Sequence, residues 1–186
     1  MEQLREERRY TYADYCKWDD DERWELIDGV PYAMSPAPRP RHQGIIGEVH
    51  RQLATFLKGK PCKVFVAPFD VRLSAEDDDD TVVQPDILVI CDRAKIDDKG
   101  CNGAPDLIIE VLSPSSAGRD KWVKFNAYRR AGVREYWIVD PDSGTVAVHI
   151  LEGEKYVTSA YGDTDTVPVE VLPGCEILLG DVFEEL

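Results

Sequence analysis

Two stretches, TVVQPDILVIC at residues 81–91 and DLIIEVLS at residues 106–113, carry the architecture. Each is apolar at alternating positions on both faces around one internal acid, Asp86 in the first and Glu110 in the second. That pattern marks strands buried on both sides, at the centre of a sheet covered by helices. Pro114 ends the second run. A helix is predicted from Arg119 to Ala131, with Val123, Ala127 and Ala131 on one face and Gly132 placed as its C′ residue. REYWIVD at 134–140 follows as another strand. Strand, helix and strand in succession ask for a parallel crossover. Before this unit, RWELIDGVPYA at 23–33 reads as a hairpin turning at Asp28-Gly29. Ile45, Ile46, Val49, Leu53, Ala54 and Leu57 recur at helical spacing, so 42–57 is an amphipathic helix. KVFVAPFDVRL at 63–73 is β-rich. Thr11 is placed to cap a short first helix. Ser35 to Pro40 is a breaker loop. A hairpin over about 145–151 and 155–161 and a short strand near 175–179 complete the chain. The sum is an α/β (α+β) domain over 1–186 with a mixed sheet.

Composition narrows the chemistry. The chain has 186 residues, 43% hydrophobic and 31% charged, a globular make-up. No apolar run approaches the ~20 residues of a bilayer span. MEQLREERRY at the N-terminus has no apolar stretch behind it, so no signal peptide is expected. The net charge of −14 argues against sequence-blind coating of nucleic acid. Five scattered cysteines without a C-x-x-C read as free thiols in the cytoplasm. Three histidines without a clustered motif argue against a histidine-rich zinc site. The acidic runs at 19–22 and 76–80 read as solvated loops.

An acid inside an apolar strand is costly unless something pairs with it. Asp86 sits in VVQPDILVI and Glu110 in DLIIEVL. Each alone fits a structural role. Together, on neighbouring strands, they can converge on one point, where a divalent cation offsets their repulsion. Oxygen ligands at a half-built site suit Mg²⁺ or Mn²⁺. Residues 119–134 then supply Arg119, Lys121, Lys124, Arg129, Arg130 and Arg134 against Asp120 alone. One lysine beside the carboxylates would orient a water and stabilise phosphoryl charge, while the arginines meet a nucleic-acid backbone. Glu25, in WELIDG, can reach the same site. His42 is read as a cap-region or surface residue. Trp24, Trp122, Tyr128, Tyr136 and Trp137 are read as core.

WELIDG, VVQPDILVI, PDLIIEVLSPS and DKWVKFNAYRRAGVREYWIVDP, in that order, resemble the Uma-type restriction endonuclease family of the PD-(D/E)XK nuclease superfamily. The resemblance runs from about Tyr12 to Asp181. It implies a restriction-endonuclease-like α-β-β-β-α-β core and a Mg²⁺ held by Asp86, Glu110 and the Val111 carbonyl. A lysine is expected two residues after the second acid, where this chain has Leu112. The family moves it to the following helix, where Lys124 matches best and Lys121 second. Glu25 resembles the family's early acid. The implied activity is metal-dependent cleavage of DNA by a homodimer. The competing readings are a non-catalytic binding protein on a nuclease fold and a hydrolase of smaller phosphate esters.

Overall fold

The computed structural model describes residues 8–19, 22–34, 39–74, 79–114 and 117–184. The breaker at 35–38, part of each acidic run and Ser115-Ser116 lie outside them. In chain order the strands are β1 (Trp24–Ile27), β2 (Val30–Ala33), β3 (Lys63–Val66), β4 (Val71–Arg72), β5 (Val82–Val83), β6 (Ile87–Ile90), β7 (Ile96–Asp97), β8 (Gly100–Asn102), β9 (Leu107–Val111), β10 (Glu135–Asp140), β11 (Thr145–Glu152), β12 (Lys155–Gly162), β13 (Thr166–Pro168) and β14 (Glu176–Leu178). The α-helices are α1 (Tyr12–Tyr15), α2 (Pro40–Leu57), α3 (Phe125–Ala131) and α4 (Leu179–Val182).

The main sheet has the order β12-β11-β10-β9-β6-β3. β6 runs antiparallel to both of its neighbours, β3 and β9, and β10 lies parallel to β9. With α2 ahead of β3 and α3 between β9 and β10, this is the expected α-β-β-β-α-β core in a mixed α+β domain. Alternation sorts the side chains onto two faces. Ile87, Val89, Ile109 and Val111 pack with Ile45, Val49 and Leu53 of α2. Leu88, Ile90 and Ile108 pack with Ala127 and Tyr128 of α3 on the other face. Both faces are dry because both are covered, which is why these strands read as continuous apolar runs.

Local chemistry explains the elements on either side. Asp28 (φ 49°) and Gly29 (φ 72°) form the left-handed two-residue turn that joins β1 to β2. Asp14 accepts the Thr11 backbone N–H, which secures the start of α1. Gly132 ends α3 at φ 83°.

Several expectations need correction. The run at 81–91 is not one strand. Gln84-Pro85-Asp86 breaks it, with β5 in a second sheet of order β2-β1-β5-β4-β8-β7 and β6 in the main sheet. Asp86 therefore precedes β6 instead of lying within it. The β-rich run at 63–73 divides between the sheets in the same way. Residues 119–124 form a π-helical turn before α3. Trp122, assigned to the core, is 73% exposed, because its neighbour Lys124 takes the inward position. Asp79, in the second acidic run, is buried and accepts the backbone N–H groups of Ser74 and Thr81. Cys62 and Cys91, directly opposite where β3 meets β6, form a disulfide, leaving Cys16, Cys101 and Cys175 as the free thiols. The cysteine argument for a reducing compartment falls with that pair. Among the described residues no helix is long and apolar enough to cross a membrane.

Candidate active site

β6 and β9 pair Ile87 with Ile109. Asp86, just before β6, lies outside the paired residues and meets the end of β9 at Val111, the residue after Glu110. Asp86 Oδ2 accepts the Val111 backbone N–H at 2.8 Å, which fixes the carboxylate at the end of β9. Its side chain keeps 20% exposure. Glu110 points toward α3 and is buried.

Lys124 is also buried, and its Nζ lies 2.8 Å from Glu110 Oε1 and 2.8 Å from Glu25 Oε1. The two acids come from different sheets, so this one ammonium ties them together. A lysine taken fully out of water survives only with such partners. Tyr128, one helical turn after Lys124, donates its hydroxyl to Glu110 Oε1 at 2.7 Å. Burial first, and the Glu110 charge second, hold the Tyr128 phenol well above its ordinary range, so it remains a donor. The Gln84 backbone N–H donates to Glu25 Oε1 at 2.9 Å, and the Gln84 side-chain amide donates to Asp70 Oδ1 at 2.8 Å. Burial raises the Asp70 carboxyl above its usual range.

Of the six residues expected here, Glu25, Glu110 and Lys124 meet directly, and Asp86 reaches them through the backbone of Val111. Lys121 does not: it is exposed on the same helix. Of the two lysines, Lys124 is the one brought to the acids. Two participants escaped the sequence reading. Tyr128 was placed only in the core. His42 was assigned to the helix cap or surface, yet its Nε2 lies 2.9 Å from the Val111 carbonyl and 3.5 Å from Asp86 Oδ2. The signal for His42 was present: residues 42, 45, 46, 49 and 53 form one helical stripe, so His42 is in phase with the core face of α2.

Taken formally, Glu25, Asp86 and Glu110 bring three negative charges and Lys124 one positive. Two uncompensated charges around oxygen donors fit a divalent cation. Among the described residues, no three His, Cys, Asp or Glu side chains are already gathered as a metal-holding group.

This strand order, with acids and a lysine at the β6–β9 end, defines a nuclease-type fold. A crystal structure described as a putative nuclease belonging to DUF820, from Anabaena variabilis, shares it with a TM-score of 0.75 at 22% identity, covering 94% of this chain and 97% of that one. Residues 11–180 match the Uma2 family, described as putative restriction endonuclease, and the chain belongs to that family. Two uncharacterized proteins of Synechocystis sp. are similar. One, sll1609, is 31% identical over 137 residues, 70% of this chain and 74% of its own. The other, slr1290, is 26% identical over 133 residues, 70% and 68% of the two chains. Family and fold together support a nuclease function.

Proposed function

We propose that the chain is a divalent-metal-dependent endonuclease that hydrolyses phosphodiester bonds of DNA. The observation that carries this reading is the Lys124 ammonium held between Glu25 and Glu110, with Asp86 bonded to the Val111 N–H next to Glu110. Asp86, Glu110 and the Val111 carbonyl would hold Mg²⁺ or Mn²⁺. When bound, such an ion supplies Lewis acidity toward a phosphate oxygen. Lys124 does the chain's own part, orienting a water toward phosphorus and offsetting charge that builds on the phosphoryl group. Glu25 holds Lys124 in place, and Tyr128 fixes Glu110. Cutting both strands of a duplex calls for two such sites, so the reading includes a homodimer.

The test is cleavage of plasmid and of single-stranded oligonucleotides with Mg²⁺, with Mn²⁺ and with EDTA. Asp86→Asn and Glu110→Gln should each reduce metal-dependent cleavage by roughly 10²–10³-fold or more, with circular dichroism melts confirming the fold. Unchanged cleavage by both variants overturns the assignment. Binding without cleavage by the parent chain favours the non-catalytic reading.

A further inference from the structure

His42 stands at the third position of α2, just after Pro40 at the helix start. A side chain in the first turn leans back past the N-terminal end of its helix. α2 covers the face of the sheet that carries Val111, so this lean delivers the imidazole to the end of β9. Its side chain is 11% exposed. Nε2 lies 2.9 Å from the Val111 carbonyl oxygen and 3.5 Å from Asp86 Oδ2. Neighbouring donors in an octahedral shell about 2.1 Å from an ion sit about 3 Å apart. The 2.9 Å separation from the Val111 carbonyl matches adjacent vertices of one shell, and the 3.5 Å separation from Asp86 Oδ2 exceeds that spacing by about 0.5 Å.

We propose that His42 is a nitrogen ligand of the divalent ion, completing a set with Asp86 Oδ2 and the Val111 carbonyl. The inference rests on the metal site proposed above. A carbonyl only accepts, so Nε2 donates to Val111 in the structure. Ligation through Nε2 places the imidazole hydrogen on Nδ1 and leaves the ring neutral, with no net change in protons. An imidazole among oxygen donors shifts the site from Mg²⁺ toward first-row transition ions such as Mn²⁺ and Co²⁺. The arrangement thus specifies the class of cofactor as well as its place.

The experiment uses the full chain without substrate. Mn²⁺ and Mg²⁺ are titrated calorimetrically, and pulsed electron paramagnetic resonance of the Mn²⁺-loaded protein looks for nitrogen hyperfine coupling. The parent chain should bind Mn²⁺ more tightly than Mg²⁺ and show a coupling that changes when its histidines are labelled with nitrogen-15. His42→Gln should lose that coupling and bind Mn²⁺ at least roughly tenfold more weakly. The spectrum of the parent chain decides the matter even if the variant fails to fold. Mn²⁺ bound without histidine coupling, yet released by Asp86→Asn, overturns the His42 ligand and leaves the Asp86 site standing. No Mn²⁺ binding by the parent chain overturns both.

Discussion

Lys124 is the residue on which the two sheets are joined. It comes from the π-helical turn and meets Glu25 of β1 and Glu110 of β9, all three buried. Removing one partner of a buried ionic group leaves uncompensated charge, which typically costs about 3–5 kcal/mol. Lys124→Met should therefore lower unfolding stability by about that amount in urea titrations. Adding Glu25→Gln and Glu110→Gln should restore most of it, since neutral groups of similar shape no longer need the ammonium. A Lys124→Met chain within about 0.5 kcal/mol of the parent would show that the triad has no structural role. Glu110 could be picked out in the sequence because charge inside an apolar run is an energetic anomaly, and Lys124 because it lies in a basic helix where the family resemblance places the lysine. Lys121 competed with Lys124 because spacing alone does not say which side of an irregular turn faces inward. His42 escaped notice because it stands in the opening turn of α2, where a cap or surface role is the ordinary reading of a lone histidine.

At the scale of elements, those with strong local chemistry were readable: the Asp28-Gly29 hairpin, α2, and α3 with its Gly132 cap. The rest of the small second sheet, beyond the β1–β2 hairpin, was not. Those strands are two or three residues long, too short for any period to show, and β4, β5 and β8 are held by pairing between distant segments. The same reason hid the disulfide, which depends on the register of β3 against β6 and not on cysteine spacing. Packing of α3 against the β10–β12 meander uses an aromatic layer. His149 of β11 sits there among Phe125, Tyr136 and Tyr156, with Nδ1 2.7 Å from Thr158 Oγ1. Burial lowers His149 from 6.5 to about 4. The unfolded chain takes up that proton near 6.5 and the folded chain does not. The His149 contribution to stability is thus complete above about pH 6.5 and is lost as pH falls toward about 4. By pH 4.5 the loss is on the order of 2–3 kcal/mol. His149→Phe should shed that part of the acid sensitivity, read as a smaller drop in unfolding free energy between pH 7 and 4.5. Parallel pH profiles for parent and variant would refute it.

For the molecule as a whole, the −14 charge sets how nucleic acid can be held. The basic stretch at 119–134 reads as a phosphate-facing surface, but several of its cations are paired within the chain. Lys124 turns inward, Arg130 pairs with Asp28 at 2.6 Å, and Arg134 pairs with Asp106 at 2.9 Å. Arg129 donates to the Glu154 carbonyl at 3.2 Å. Releasing Arg130 or Arg134 to a phosphate exchanges one anion for another and gains little. Lys121 remains exposed. Each neutralised phosphate contributes a slope of about −0.9 to log affinity against log salt on duplex DNA. With one to three such contacts, the slope should be about −1 to −3, and affinity should fall by roughly 3–40-fold between 50 and 200 mM salt. Fluorescence anisotropy of a labelled duplex with the Glu110→Gln chain measures this without cleavage. A slope steeper than about −5 would mean a phosphate-binding surface much larger than this chain presents, contributed by a second copy or by rearrangement of the paired arginines.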